Sequence, residues 1–460
     1  MRYASAVVGL VVAAGAVAGI VRPDSGVIAA QAAGQMPPPA PQARQMPLFA
    51  VDPAWPQLPN KWVLGQTPGI AVDRHDHVWI LHRPRTVPED KRAQAAPAVI
   101  EFDEKGKFVN AWGGPGTGFD WPDSEHGIFV DYKDNVWIGG SSPTSNSLTQ
   151  RSDDMLVKFT KKGKFLLQIG GPDKSRGNAD QASVNKPADA FVYQKTNELF
   201  VADGYGNRRV IVFDADTGAF KRMWGAFGNA PIDAPQAAAR GAAPAGGTAP
   251  AAGNTAPAAG NTAPAAGGPA PAGRGAAPAV GNTAPAAGAA APAGGAAAPA
   301  AGARGAPPLD TTGDGSPQFG GPVHSVKVSN DGIVYVADRP NRRIQLFDVG
   351  GKYQRQMFIN RAGPSTNSVA GLAFSPDQQQ RFLYVADYGN SKLLVVERAT
   401  LEVLYQFGGL GEERGRFRGP HHVAADSKGN LYVVEVSPGN RAQRFVFKGL
   451  SATPPPDAVK

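Results

Sequence analysis

The stretch PVHSVKVSNDGIVYVADR, from Pro322 to Arg339, decides the fold because related stretches recur along the chain. It alternates apolar and polar residues, turns at Asn-Asp-Gly, and continues as an apolar run that ends on Asp338. Alternation with a period of two on either side of a polar turn predicts a β-hairpin. A histidine, His324, opens the first strand of this hairpin.

Six units of this kind can be aligned, and each begins with an alternating strand. They start at Thr67, Glu125, Pro187, Val323, Val369 and Pro420. A third strand such as RRVIVFD and a fourth such as GKFLLQIGG follow the hairpins. Four short strands in a unit of about fifty residues, repeated six times, predict an all-β, six-bladed β-propeller. The stretch Leu48-Phe49-Ala50-Val51 is predicted to pair with the last blade and so close the ring.

The segments outside the repeats differ from them in composition. Residues 1–33 are rich in small apolar residues and carry an Ala-Gln-Ala pattern, which predicts an export signal peptide and a periplasmic or secreted protein. The alternative is that this segment stays uncleaved as a membrane anchor. Cleavage of the signal peptide would leave no stable membrane span. Residues 34–47 are predicted to be a Pro-rich linker and residues 451–460 a tail.

A long tract of Ala, Pro and Gly interrupts the repeats. Residues 230–318 cannot bury a core, and they are predicted to be a disordered insertion between blades three and four. Residues 48–229 then form blades one to three with the closing strand, and residues 319–450 form blades four to six. We expect a monomer.

Cysteine content and charge limit the possible partners. The chain of 460 residues contains no cysteine, so any metal site must use nitrogen or oxygen ligands. The net charge is +8, but lysine and arginine are spread along the chain without a dense basic run. This distribution argues against nucleic acid as a partner.

Histidine recurs in one column of the aligned repeats. Units one to six carry, at the position of His324, the residues Pro68, His126, Ala188, His324, Ala370 and His421. Alternate blades of a six-bladed ring are related by three-fold rotation, and their inner strands begin at the same mouth of the central channel. The three histidines are therefore predicted to meet on the axis. Three neutral nitrogen ligands with a free fourth position are typical of a catalytic zinc site.

The other histidines show no such register. His75 and His77 align with the hairpin turn of the first unit, so we expect them to be solvated and remote from the axis. His82 has no counterpart in the other units.

A second column lies at the end of the second strand of each unit. It holds Arg83, Tyr205, Arg339 and Tyr388 in units one, three, four and five. An arginine fork suits a carboxylate on a small-molecule or peptide substrate. A tyrosine beside cations is expected to have a lowered pKa and to be able to act as a base.

The repeats resemble a known family. The stretches GQTPGIAVDRHDHVWILHR, SEHGIFVD, VADGYGNRRVIVF and GPHHVAAD, together with the stretch quoted first, resemble in order the blades of peptidyl-α-hydroxyglycine α-amidating lyases, six-bladed propellers of the NHL-repeat class. The resemblance implies that the three column histidines, His126, His324 and His421, bind Zn²⁺. It also implies that Tyr205 is the catalytic base and that Arg83 and Arg339 surround the substrate.

Two positions depart from the pattern of that family. The resemblance implies a Ca²⁺ ion held by the backbone carbonyls of Ile70 and Ile128 and by an aspartate. His422 stands at the aspartate position, and an imidazole is not a hard oxygen ligand, which argues against calcium. Gly419 stands where the family has a methionine near the substrate.

Two functions follow from these observations. The first is a zinc-dependent lyase that cleaves an α-hydroxyglycine-type C–N bond to give an amide and glyoxylate. The alternative is a non-catalytic, exported NHL propeller that binds a peptide, glycan or protein partner.

Overall fold

Each repeat folds into an antiparallel sheet whose strands lie side by side in chain order. The computed structural model describes residues 44–145, 147, 149–233, 312–363, 365, 367–456 and 458. The chain divides into two compact units, Met1–Arg44 and Gln45–Lys460, and the strands belong to the second. The predicted signal peptide lies outside the described residues. Within the described ranges, no helix is long and apolar enough to cross a membrane.

The first three blades contain twelve strands. Blade one has β2 (Gly69–Val72), β3 (Val78–Leu81), β4 (Val99–Phe102) and β5 (Phe108–Trp112). Blade two has β6 (Glu125–Val130), β7 (Asn135–Gly140), β8 (Met155–Thr160) and β9 (Phe165–Gly170). Blade three has β10 (Asp189–Tyr193), β11 (Glu198–Asp203), β12 (Arg209–Asp214) and β13 (Phe220–Trp224).

The second half contains the remaining blades. Blade four has β14 (Val323–Val328), β15 (Ile333–Asp338), β16 (Arg343–Asp348) and β17 (Tyr353–Phe358). Blade five has β18 (Val369–Phe374), β19 (Phe382–Asp387), β20 (Lys392–Glu397) and β21 (Glu402–Gly408). Blade six has β22 (Pro420–Ala425), β23 (Leu431–Glu435) and β24 (Arg441–Ser451). Short 3₁₀ helices span Pro59–Lys61, Pro84–Thr86, Glu89–Gln94 and Ala226–Gly228.

The ring closes through the start of the second unit. Strand β1 (Met46–Val51) pairs antiparallel with β24 and supplies the fourth strand of blade six. It begins two residues before the predicted Leu48. Each innermost strand also contacts the innermost strands of both neighbouring blades, from β2 through β6, β10, β14 and β18 to β22 and back to β2. The predicted six-bladed propeller is therefore confirmed.

Apolar side chains fill the space between adjacent blades. Among the described residues, the core consists of six clusters, and each of them joins two neighbouring sheets. The second strands carry continuous apolar runs, such as the buried Val334–Ala337 of β15, because neighbouring blades cover both of their faces. This packing fixes the inner strands around the axis.

Buried ion pairs lock the second strand of a blade to the third. Asp203 at the end of β11 faces Arg209 at the start of β12, with the Asp203 Oδ2 and Arg209 Nε atoms 2.8 Å apart and both side chains fully buried. Asp338 and Arg343 repeat this pair in blade four, also at 2.8 Å. Arg209 donates further hydrogen bonds to the backbone carbonyls of Asn178, Asp180 and Ser183, which lie in the loop between β9 and β10.

Arg209→Met is expected to lower the free energy of unfolding by about 3–5 kcal/mol, because Asp203 keeps a buried charge without its partner. Denaturant unfolding of the variant and of the wild type measures this loss. Arg208→Met, at the half-buried neighbouring position, is the matched control and should cost less than about 1 kcal/mol. An equal loss in both variants would contradict this role for the pair.

The ends of the Ala/Pro/Gly tract contact the propeller. Residues 234–311 lie outside the described part of the chain, between β13 and β14. At the near end, the Oδ1 atom of Asp233 accepts hydrogen bonds from the backbone and side-chain nitrogens of Asn178, each at 2.9 Å. At the far end, the carbonyls of Asp314 and Gln318 accept hydrogen bonds from Arg343. These residues belong to the predicted 230–318 segment and are tied to blades three and four.

Candidate functional site

The pairing of the inner strands is irregular next to the three column histidines. In blades two, four and six the register between the first and second strands shifts next to the histidine, whereas the first strands of blades one and three pair regularly. Blade five has a shift without a histidine. A β-bulge turns a side chain out of the regular alternation. The bulges thus help to direct the imidazoles toward the channel axis.

The backbone of the intervening blades orients each imidazole. The Nδ1 atoms of the three histidines lie 2.7–2.9 Å from backbone carbonyl oxygens of the next blade, namely His126 from Ala188, His324 from Ala370 and His421 from Pro68. These carbonyls belong to the residues that occupy the same repeat column in the odd blades. Because a carbonyl can only accept, each Nδ1 carries the hydrogen, and each Nε2 of the neutral ring keeps a lone pair.

One glycine allows this close approach. Gly127, which follows His126, has a φ of +67°, and a Cβ atom there would lie 2.5 Å from the carbonyl oxygen of Ala188. That oxygen is the acceptor for Nδ1 of His126. A side chain at position 127 would therefore push away the group that orients the imidazole.

The three Nε2 atoms point at one another. The Nε2 atoms of His324 and His421 are 3.1 Å apart, and ligand atoms of His126, His324 and His421 all lie within 4.8 Å of one another. Burial lowers the pKa of all three rings well below the usual value, and neighbouring positive groups add to this shift. Burial thus favours the neutral form of each ring, and the facing Nε2 lone pairs repel one another unless a cation lies between them.

This donor set fits a metal ion. Three nitrogens bound to zinc at about 2.0–2.1 Å in tetrahedral geometry lie roughly 3.3 Å apart, close to the spacing of the His324 and His421 nitrogens. The hydroxyl of Tyr205 lies 3.0 Å from the Nε2 atom of His126 and 3.2 Å from that of His324. The carbonyl partners of the Nδ1 atoms are the outer contacts that usually orient histidine ligands.

The two arginines at the rim have different surroundings. Arg83 is held by three contacts, from Nε to the Glu125 carbonyl at 2.9 Å, from Nη1 to Gln66 Oε1 at 2.6 Å, and from Nη2 to Ser141 Oγ at 3.1 Å. Its position is therefore fixed by the protein itself.

Arg339 has fewer partners. Its guanidinium carbon lies 4.3 Å from the centre of the Tyr388 ring, and its Nη1 atom lies 3.5 Å from the Tyr205 hydroxyl. The residue is 8% exposed, and its Nε atom has no hydrogen-bond partner among the described residues. A buried guanidinium with spare donors favours an anionic ligand.

Tyr205 joins the rim to the histidines. Burial raises the pKa of its hydroxyl above the usual value, while Arg339 and Arg83 act in the opposite direction. The prediction of a lowered pKa considered only the cations and is wrong here, because burial is the larger effect. With Arg83, Arg339 and Tyr388, Tyr205 lines a pocket of about 190 Å³ at this mouth of the channel.

The residues expected around calcium include an imidazole where the resemblance implies a carboxylate. Ile70 and Ile128 lie buried on the inner strands β2 and β6. His422 is buried beside His421 and offers nitrogen, and its Nε2 atom has no hydrogen-bond partner among the described residues. Calcium binds through six to eight oxygen ligands, and His422 supplies none of them, so this position does not fit the ion.

The remaining histidines lie away from this cluster. The side chain of His75 is half-exposed and lies beside Asp134. His82 is buried, its ring nitrogens contact backbone groups, and burial lowers its pKa to about 4. His77 is half-buried, with Nδ1 2.7 Å from Glu101 Oε1, so the predicted turn is less solvated than expected.

A second group of metal-capable side chains was not predicted. It consists of Asp73, His77 and Glu101. The Nζ atom of Lys161 lies 2.8 Å from Asp73 and 3.9 Å from Glu101, so a lysine already supplies the positive charge. Asp73 also accepts hydrogen bonds from its own turn, as Asp131 does in blade two. This repetition indicates a structural role.

Gln66 is a pocket residue that the sequence did not reveal. It precedes the first repeat, so no alignment of the units draws attention to it, and only its contact with Arg83 shows its place.

Comparisons with known proteins agree with the predicted resemblance. No family model matches the chain. NHL repeat-containing protein 3 of Mus musculus is 27% identical over 186 residues, which cover 39% of this chain and 46% of the relative. A probable peptidyl-alpha-hydroxyglycine alpha-amidating lyase of Caenorhabditis elegans is 28% identical over 163 residues, which cover 33% of this chain and 42% of the relative. The chain thus spans less than half the length of these curated relatives.

A solved structure of a streptogramin B lyase covers 88% of this chain and 98% of its own, with 10% sequence identity and a TM-score of 0.42. A likeness at that level bears on neither activity nor substrate. The chain is therefore a six-bladed propeller with distant similarity to NHL-repeat proteins and to an amidating lyase.

Proposed function

We propose that the protein is a zinc-dependent lyase acting on an N-acyl or peptidyl α-hydroxyglycine. The observation that supports this most is the convergence of three histidine Nε2 atoms, the Tyr205 hydroxyl and the incompletely paired Arg339 at one channel mouth. His126, His324 and His421 would hold the ion. When bound, zinc would supply a Lewis acid for a substrate oxygen and positive charge beside the Tyr205 hydroxyl.

Arg339 is the residue that would receive the substrate carboxylate. Its spare donors are buried at the pocket, and the Tyr388 ring lies beside its guanidinium group. Arg83 already uses all three of its nitrogens on protein groups, so it would contribute mainly fixed positive charge. A pocket of about 190 Å³ suits the small hydroxyglycine head, while the acyl or peptidyl part would extend toward solvent.

Tyr205, as the phenolate, would remove the proton of the substrate hydroxyl. The O–H electrons then form the C=O bond of glyoxylate, the C–N bond breaks, and the nitrogen leaves with its electron pair and takes up a proton to give the amide. The guanidinium groups of Arg83 and Arg339 favour the phenolate against the effect of burial. This role requires Tyr205 to face the pocket, and Tyr205 is one of the residues that line it.

Zinc-loaded protein is expected to convert α-hydroxyhippurate into equal amounts of benzamide and glyoxylate. Both products can be measured by chromatography, with chelator-treated protein and the same protein after zinc is restored as matched controls. Equal product from treated and restored protein would argue against the metal. No glyoxylate from zinc-bearing protein, with several acyl groups tried, would favour the alternative of a binding propeller.

A further inference from the structure

A buried ion pair lies in the channel beyond the three histidines, toward the hairpin turns. The Nζ atom of Lys327 on β14 lies 2.6 Å from Oδ2 of Asp189 on β10, and their side chains are 17% and 3% exposed. Asp189 directly follows Ala188, whose carbonyl holds His126. Lys327 also lies 5.9 Å from the ring centres of Phe129 and Phe191. The ammonium group is thus fixed one layer below the histidines.

The pair lies beside the position where the resemblance implies calcium. The His422 ring centre is 5.0 Å from that of His421 and 5.3 Å from that of His324. Lys327 lines the same stretch of the channel as Ile70 and Ile128, whose backbone carbonyls the resemblance assigns to calcium. An imidazole therefore stands at the implied aspartate position, and a lysine brings a positive charge into the same stretch of the channel.

We propose that the Lys327 ammonium is the built-in cation of this part of the channel and that the protein takes no calcium there. The carboxylate beside it, Asp189, already accepts hydrogen bonds through Oδ2 from the Ser325 hydroxyl at 2.7 Å and the Val326 amide at 3.3 Å, besides Lys327. A calcium ion would have to displace these donors and lie near a fixed positive charge. Both requirements oppose binding.

The tethered charge also stabilises Asp189 at this level of the channel. A buried carboxylate is stable only when it is paired and hydrogen-bonded, and Lys327 with Ser325 meets both conditions for Asp189. The proposal depends on these contacts and not on lyase activity, so it can hold or fail independently of the proposed function.

The first test is a calcium titration of the purified wild-type protein. Calorimetric titration with CaCl₂ is expected to show no binding at the channel, and millimolar calcium should leave the melting temperature unchanged within about 1 °C. Calcium binding that disappears in Asp189→Asn would overturn the proposal. The expected absence of binding is measured on the wild type alone, and the Asp189→Asn variant serves only to locate any calcium that does bind.

The second test is a double-mutant cycle. Lys327→Met leaves Asp189 charged and buried, so its melting temperature should fall by about 5 °C or more. The double variant Lys327→Met/Asp189→Asn should recover at least half of that loss, because no buried charge remains. Lys133→Met, which breaks the exposed pair with Asp216, is the control and should shift the melting temperature by no more than about 2 °C. A Lys327→Met variant as stable as the wild type would overturn the proposal.

Discussion

His324→Ala is expected to reduce bound zinc from about one equivalent per chain to less than about a tenth. His324 contributes one of three nitrogen donors, and its Nε2 atom is the one that lies near both His421 and Tyr205. Two remaining imidazoles cannot complete a tetrahedral site. Elemental analysis of purified wild type and variant, after dialysis against metal-free buffer, measures the difference.

His75→Ala is the matched control for this experiment. It removes a half-exposed imidazole from the same chain, outside the channel, and should leave the zinc content unchanged. Circular dichroism must show a folded His324→Ala variant, because the Ala370 carbonyl loses its hydrogen-bond donor. Undiminished zinc in the folded variant, or none in the wild type, would remove the metal from the proposed function.

The repeat made the fold and the histidine cluster predictable. Six hairpins in register define equivalent positions, and equivalent positions of the inner strands lie at the same level around the axis of the ring. The sequence therefore predicted that His126, His324 and His421 lie close together, and in the structure they do. Arg83, Tyr205 and Arg339 followed from the second column, and they line one pocket.

Contacts between blades could not be predicted from the repeats. The carbonyls of Pro68, Ala188 and Ala370 orient the imidazoles through the backbone, and any residue type could supply them. The raised pKa of Tyr205 depends on how deeply the ring is buried, which no alignment of repeats measures.

The Lys327–Asp189 pair was equally hidden from the sequence. It joins residues 138 positions apart on neighbouring inner strands, and neither belongs to a repeated column of like residues. Such pairs depend on how the inner strands of two neighbouring blades face each other, and the local sequence pattern does not predict this arrangement.

Tyr205→Phe is expected to lower the turnover of α-hydroxyhippurate to glyoxylate about a hundredfold or more, because it removes the group that would take the hydroxyl proton. The aromatic ring keeps its packing against His126 and His324, whose ring centres lie 4.8 Å and 5.8 Å away. Zinc content and melting temperature should therefore stay close to those of the wild type. The three quantities are measured on the same protein preparation.

Tyr132→Phe gives the control for this loss. Its hydroxyl also makes a hydrogen bond, to Asn197 Oδ1 at 2.9 Å, but it lies near the hairpin turns and far along the channel from the histidines. A change in activity of less than twofold is expected for this variant. If Tyr205→Phe retained full turnover with zinc bound, the proton would have to leave through another group, and a base at this position would be excluded. If turnover and zinc were lost together, Tyr205 would act by holding the site together, since removal of a base alone leaves the three Nε2 donors in place.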